Sequence, residues 1–182
     1  LDQPKVLAFK QRVLTAHAAR PATGYVAVPI DLRKDWPEAL RHAGFDASTP
    51  TVWSAEGLLP YLSAADQDLL FERIDTLSAA GSRLDVAAFG PDFYSTEGLA
   101  RRRERIERAR GAARAAGRPE LHEPSRLWYL EPRTNVAQWS AAPDWEVTTI
   151  DAPDLMAHYQ RPAPEDGEDP APDTSFVEAR KT

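Results

Sequence analysis

The chain has 182 residues, 42 % of them hydrophobic and 27 % charged, with a formal net charge of −6. That length is enough for one domain with a real core, and the negative balance argues against a general nucleic-acid binder, which presents positive charge. There is no cysteine, which excludes disulfides, zinc–thiolate sites and a cysteine nucleophile. No run approaches the roughly 18 apolar residues of a membrane span and no signal peptide is visible, so a cytoplasmic protein without membrane or nucleic-acid partners is expected. The chain opens on Leu1-Asp2-Gln3-Pro4, with neither a methionine nor a lead-in strand, and reads as the continuation of something longer.

Pro4 to Ala19 has helical spacing: proline suits the first turn, and Val6, Phe9, Val13 and Leu14 share a face, with Ala16 and Ala19 beside it. Pro21 and Gly24 close it. Tyr25 to Ile30 is a continuous apolar run, the pattern of a strand covered on both faces, and Asp31-Leu32-Arg33 stands at its carboxyl end. Asp35 can cap a short helix holding Trp36, Leu40 and Ala43, with Gly44 as its stop. Thr51 to Ala55 is the next strand. Ser63 caps a helix whose buried stripe is expected to be Leu69, Leu70, Ile74 and Leu77, ended by Gly81. Ser82 to Phe89 is another strand, in which Asp85 must be edge-exposed or paired.

After Gly90-Pro91-Asp92 the texture changes. Leu99 to Ala116 is a helix carrying Arg101, Arg102, Arg103, Arg105, Arg108, Arg110 and Arg114, which leaves Ile106 and alanines for packing. Gly117-Arg118-Pro119 ends it, and a loop leads to Leu127-Trp128-Tyr129-Leu130. Asn135 to Trp139 reads as a short helix, Trp145 to Ile150 as a strand, Asp154 to Tyr159 as a short helix and Ser175 to Arg180 as the last strand. Arg161 to Asp173, rich in proline and acid, is expected to be a loop. Such alternation without repeats implies an α/β fold with a mostly parallel sheet. The last strand is expected to run antiparallel, residues 1–182 to form one domain, and residues 91–130 to be an insertion over the strand ends.

The stretch Pro50-Thr51-Val52-Trp53-Ser54-Ala55-Glu56-Gly57-Leu58-Leu59-Pro60-Tyr61-Leu62 organises the rest. A charge between Trp53 and Leu58 must be solvated, paired or used, because burying it alone is costly. A strand ending near Ala55 puts Glu56 at its carboxyl end, the edge where open α/β sheets bind ligands, and Gly57 permits a tight exit. A strand-to-helix turn with a capping glutamate would leave the same pattern. Asp2 and Asp31 join Glu56 at presumed strand ends, placing acids along one rim where a nucleoside-like ligand would sit. A carboxylate accepts both ribose hydroxyls, and Asp31 beside apolar Leu32 suits the exocyclic amine of a purine. Equally, Asp2 and Asp31 could merely cap the helices that follow. His17, His42, His122 and His158 show no metal-ligand spacing, and surface or capping roles are expected of them.

The Pro50–Leu62 stretch closely resembles the signature of the S-adenosylmethionine-dependent methyltransferases related to leucine carboxyl methyltransferase, in the branch abundant in mycobacteria and other actinobacteria. Asp2-Gln3-Pro4 with Lys10, Ile30-Asp31-Leu32-Arg33 with Asp35-Trp36, Leu77-Ser78 with Gly81-Ser82-Arg83, and Phe176-Val177-Glu178-Ala179-Arg180 agree with it. The similarity runs in order along nearly the whole chain, weakest over the insertion and the acidic loop. It implies a Rossmann-like class I methyltransferase sheet with a helical lid. It also implies S-adenosyl-L-methionine as cofactor, and O-methylation of a carboxylate or hydroxyl on a small molecule or peptide. Asp2 matches the family's ribose-holding acid, Asp31 and Leu32 the adenine-binding pair, and Glu56 the glutamate beside the cofactor. Tyr61 either lines the pocket or packs in the core. Methyl transfer is an in-line displacement that needs alignment more than acid–base help, so no catalytic residue is assigned.

The family's first strand, glycine-rich turn and N-terminal helices should lie upstream of Leu1. The expectation is therefore a segment of a longer enzyme, inactive alone, whose sheet lacks its central strand and carries unpaired edges. The arginine helix reads as a solvated lid balanced by Glu97, Glu104 and Glu107, or as a cationic lid that draws in an anionic acceptor. No aromatic residues interleave with the arginines, as binding of single-stranded nucleic acid would favour. Two rival readings remain: a nicotinamide-dependent oxidoreductase, which has no use for the Glu56 stretch, and a truncated or degenerate interaction module without catalysis.

Overall fold

The computed structural model describes residues 1–117, 127–139, 144–161 and 174–182. The helices are α1 (Pro4–Ala16), α2 (Trp36–His42), α3 (Ala64–Thr76), α4 (Pro91–Tyr94), α5 (Thr96–Ala115), α6 (Val136–Trp139) and α7 (Ala152–His158), with a 3-10 turn at Leu59–Tyr61. The strands are β1 (Val52–Ala55), β2 (Arg83–Phe89), β3 (Trp145–Asp151) and β4 (Thr174–Lys181), in the spatial order β1-β2-β4-β3.

The sheet corrects one expectation and keeps another. Only β1 and β2 run parallel, while β4 is antiparallel to both of its neighbours, β2 and β3. The sheet is therefore mixed, not mostly parallel, and the last strand is antiparallel as expected. The last strand enters between β2 and β3 in the opposite sense, which makes both of its pairings antiparallel. β1 stands at one end of the order with one strand partner.

Register explains which face is covered. Trp53, Leu84, Ala179 and Val147 lie side by side across the four strands, as do Ala55, Val86, Val177 and Thr149. Leu84 and Ala179 are 0 % exposed and Val86 2 %. Onto this face pack Trp36 from α2, Leu70, Phe71 and Ile74 from α3, and Val136 from α6. The opposite face carries the row Ser54, Asp85, Glu178 and Thr148. Asp85 is thus exposed on a central strand beside Glu178, which Arg83 Nη1 reaches at 3.4 Å.

The helix signals mostly translate directly. Asp35 accepts from the Glu38 amide at 3.3 Å and Ser63 from the Asp66 amide at 3.1 Å, each filling an orphan donor at a helix start. In α3, however, Leu69 is 37 % exposed, and Gln67 and Phe71 join Leu70 and Ile74 in the core. α1 forms over Pro4–Ala16 but buries none of its residues.

The run Tyr25–Ile30 is not a strand. It makes a single parallel bridge, Asp2 to Pro29, held by Asp2 N to Val28 O at 3.3 Å and Ile30 N to Asp2 O at 2.9 Å. Pro29 has no amide to donate to a ladder. Tyr25 and Val26 are 48 % and 65 % exposed, so the expected cover on both faces is absent there.

The arginine helix forms as α5, and its packing differs from the expectation. Arg102 is buried at 8 % exposure, with its guanidinium 3.6 Å from the Phe93 ring centroid and 5.5 Å from that of Trp128. An arginine, not only Ile106 and alanines, therefore anchors the helix through cation–π contact. The end of the expected 91–130 insertion at residues 118–126, and residues 162–173 of the acidic loop, lie outside the described residues. No helix among the described residues is long and apolar enough to cross a membrane.

Candidate functional site

The Asp2–Pro29 bridge sets two of the expected site residues on neighbouring segments, since Asp31 lies two residues beyond Pro29. Asp2 is exposed and its Oδ1 accepts from the Gln3 amide at 2.7 Å. It sits just ahead of α1 without being its N-cap, a position held by Gln3. Asp31 is bound by its neighbour. Oδ1 accepts from the Arg33 amide at 3.0 Å and from Nε at 2.9 Å, and Oδ2 accepts from Nη2 at 2.5 Å. These bonds hold the Asp31 carboxyl down at about 2, against an ordinary 3.8. Oδ2 accepts one bond here and retains capacity for another donor. Leu32 packs against the core.

Glu56 follows β1, is exposed, and accepts from Ser54 Oγ at 3.2 Å. Gly57 then takes φ +62°, the left-handed turn for which glycine is suited. Glu56 is not the N-cap of the helix that follows, because Ser63 has that place. Among the described residues no hydrogen bond joins Glu56 to Asp2 or Asp31. Tyr61 is 39 % exposed and sets its ring edge-on to Trp128 at 6.5 Å.

The histidines are dispersed: His17 Nδ1 lies 2.8 Å from Val13 O, His42 Nε2 3.4 Å from Glu38, and His158 is edge-on to Tyr159. His122 lies outside the described residues.

Sequence reasoning missed a second feature, a cleft of about 390 Å³ at the carboxyl end of β2. Its walls include Leu59, Ala88, Phe89, Val136 and Val177, and its charged lining residue is Arg133. Arg133 Nη1 donates to Leu59 O at 2.8 Å and to Gln67 Oε1 at 3.3 Å, and Nη2 donates to Tyr129 O at 2.7 Å. The guanidinium lies 4.4 Å from the Tyr94 ring centroid. Burial pushes the Tyr94 hydroxyl pKa up, against the opposing charges of Arg133 and Arg102. Beside it, Glu131 Oε1 accepts from the Ala64 amide at 2.6 Å, so the strap formed by residues 129–134 is stitched to the start of α3. A lone arginine in Pro132-Arg133-Thr134 gives no periodic or spacing signal, and only the fold brings it to β2.

The mixed four-stranded sheet with helices defines the general class, an α/β chain. Comparison with known proteins narrows it. The leucine carboxyl methyltransferase family model matches residues 1–75, a span that contains Asp2, Asp31, Leu32 and Glu56. Along its whole length the chain is 52 % identical to a protein of Mycobacterium avium (strain 104). It is 49 % identical to proteins of Mycobacterium marinum (strain ATCC BAA-535 / M) and Mycobacterium tuberculosis (strain ATCC 25177 / H37Ra). Each bears the name of a candidate S-adenosyl-L-methionine-dependent methyltransferase. The chain spans 58 % of the length of each of these relatives. The resemblance read from the sequence motifs thus recurs in these comparisons: the chain is similar to the leucine carboxyl methyltransferase family over residues 1–75, and to these mycobacterial proteins along its whole length.

Proposed function

We propose that this chain contributes the adenosine-binding side of an S-adenosyl-L-methionine-dependent methyltransferase. The supporting observation is that the Asp2–Pro29 bridge puts Asp2 and Asp31 on neighbouring segments, Asp31 two residues beyond the bridge, within the span that matches the family. The donor set fits the adenosine half of the cofactor. Asp2 is exposed and offers acceptors for a ribose diol, and Asp31 Oδ2 retains capacity for a purine amine beside apolar Leu32. Glu56, solvated at the end of β1, is the third member of the reading. When bound, the cofactor supplies a methyl group made electrophilic by its sulfonium. The chain's residues hold and orient; we assign none of them as acid, base or nucleophile.

In this reading residues 1–182 belong to one Rossmann-like class I methyltransferase domain, with α4, α5 and the segment up to residue 130 as its lid. The acceptor is an oxygen of a carboxylate or hydroxyl on a small molecule or peptide. Calorimetric titration of S-adenosyl-L-methionine tests it, using the chain alone and the chain extended at its N-terminus with the corresponding part of its Mycobacterium avium relative. Binding to the extended form, weakened about tenfold or more by Asp2→Ala and by Asp31→Ala, is the expected result. A folded extended form that fails to bind the cofactor removes the reading. Binding of a nicotinamide cofactor instead would favour an oxidoreductase, and no cofactor binding at all an interaction module.

A further inference from the structure

The cleft beside Arg133 has a chemistry that the adenosine reading does not use, and most of its lining lies beyond the residues that match the family model. We propose that it is a binding site for a compact organic monoanion with an apolar body, of the aryl or short-chain carboxylate class, with Arg133 as the charge that selects it.

The charge balance is the first ground. The chain has 28 acidic against 22 basic residues, yet among the described residues the lining holds a guanidinium and no carboxylate. Among the described residues, the groups that Arg133 touches are neutral: two backbone carbonyls, the Gln67 amide oxygen and the Tyr94 ring. Its Nε is buried without a hydrogen-bond partner. An unmatched buried donor is costly, and a guanidinium among carbonyls and apolar walls has its charge solvated but not neutralised. Two acids on neighbouring segments are otherwise engaged: Glu131 on the Ala64 amide, and Asp151 as acceptor for Ser175 Oγ at 2.6 Å.

Shape and lining are the second ground. At about 390 Å³ the space lies near the small end of ligand pockets. Leu59, Ala88, Phe89, Val136 and Val177 offer an apolar bed, with Thr149 and Ser175 at the strand side. One guanidinium in an apolar bed suits a single carboxylate on a hydrophobic body. A phosphate would call for several cations or a nest of amides. The inference stands independently of methyl transfer; if that reading also holds, such an anion is a candidate for the acceptor.

Ligand-observed NMR titration of the full chain with phenylacetate, and with uncharged phenylacetamide, tests this without any cofactor. Phenylacetate is expected to bind about tenfold or more tightly than the amide, the difference of one charge-assisted pair. Arg133→Gln should erase that preference, and Arg133→Lys, which keeps the charge but not the fork, should restore part of it. Because Arg133 also holds the strap, Thr149→Phe serves as an independent variant: it fills the cleft from an exposed strand position where aromatics are tolerated. It should abolish binding of both probes while leaving the thermal midpoint nearly unchanged. Equal affinity for acid and amide would overturn the role of charge. Binding untouched by Thr149→Phe would overturn the location, and no binding at millimolar concentrations would overturn the site.

Discussion

At the scale of single residues, the Asp31–Arg33 fork shows how a local partner sets the state of a candidate ligand. Arg33 is next but one in sequence, so the pair forms wherever the turn forms, and the carboxylate is already held ionised at about 2. The folded value lies below the ordinary 3.8. The stabilisation is therefore complete above the ordinary value and fades as pH falls through it toward about 2. Arg33 is 46 % exposed in its side chain, so solvent screening leaves the pair a small contribution to stability. Arg33→Gln should let the Asp31 pKa rise toward its ordinary value, which a carbon-detected NMR titration of the side chain reads directly; an unchanged Asp31 titration would show that another group holds it. Arg102 is a contrasting case. Its guanidinium is buried against Phe93 and donates to the Phe93 carbonyl at 3.2 Å. Arg102→Ala should therefore lose cation–π contact, a hydrogen bond and packing together, about 2 kcal/mol in urea denaturation. Arg103→Ala, on the exposed side of the same helix, should cost little, and equal costs for the two would refute the anchoring role of Arg102.

At the scale of elements, α3 is held at both ends by polar contacts, to the strap at its start and to the sheet at its end. Its start is held by Glu131 on the Ala64 amide. Near its end, Asp75 Oδ1 accepts from Lys181 Nζ at 2.8 Å and from Trp145 Nε1 at 2.9 Å, which joins α3 to β4 and β3. Burial works to raise the Asp75 pKa, yet the bonds from Lys181 and Trp145 prevail and hold it below the ordinary value. This clamp is thus present at neutral pH and loosens as acid protonates Asp75. Asp75→Asn should cost about 1 kcal/mol at pH 7 and progressively less below pH 4, in paired denaturation curves; a cost independent of pH would mean that packing, not charge, is what was lost. The elements themselves were largely legible. Ser63 and Asp35 announce helix starts, and the runs ending at Ala55 and Phe89 announce strands, because caps and apolar runs act over a few residues. Strand pairing was not legible. Nothing local in Phe176-Val177-Glu178-Ala179 says that this strand enters between β2 and β3, and Tyr25–Ile30 has strand composition but finds only Asp2 to pair with.

At the scale of the whole molecule, site and core were legible to different degrees for one reason. Asp31, Leu32 and Glu56 follow chain segments whose ends can be read locally, and Asp2 stands just ahead of a helix start. The cleft instead assembles Leu59, Phe89, Arg133, Thr149 and Val177 from five separate stretches, and no spacing rule joins them. The same non-local assembly divides the molecule's stability. The core cluster draws on residues from Trp36 to Ala179 and contains no residue of α1. In α1, Val6, Phe9 and Val13 are 45 %, 59 % and 40 % exposed, so the helix has an apolar stripe but buries no residue. An isolated helix of 13 residues is marginal in water, since most helical stability in proteins comes from packing. Local opening of α1 should therefore cost far less than global unfolding. Native-state hydrogen exchange should show α1 amides exchanging about a hundredfold or more faster than those of Leu84, Val86, Val177 and Ala179 on the covered face of the sheet. Phe9→Lys should leave the thermal midpoint within about a degree, because an exposed side chain there contributes little to the folded state. Protection of α1 equal to that of β2, together with a large loss on Phe9→Lys, would require that α1 pack against the core after all, and would place the amino-terminal segment inside the cooperative unit formed by the sheet and α3.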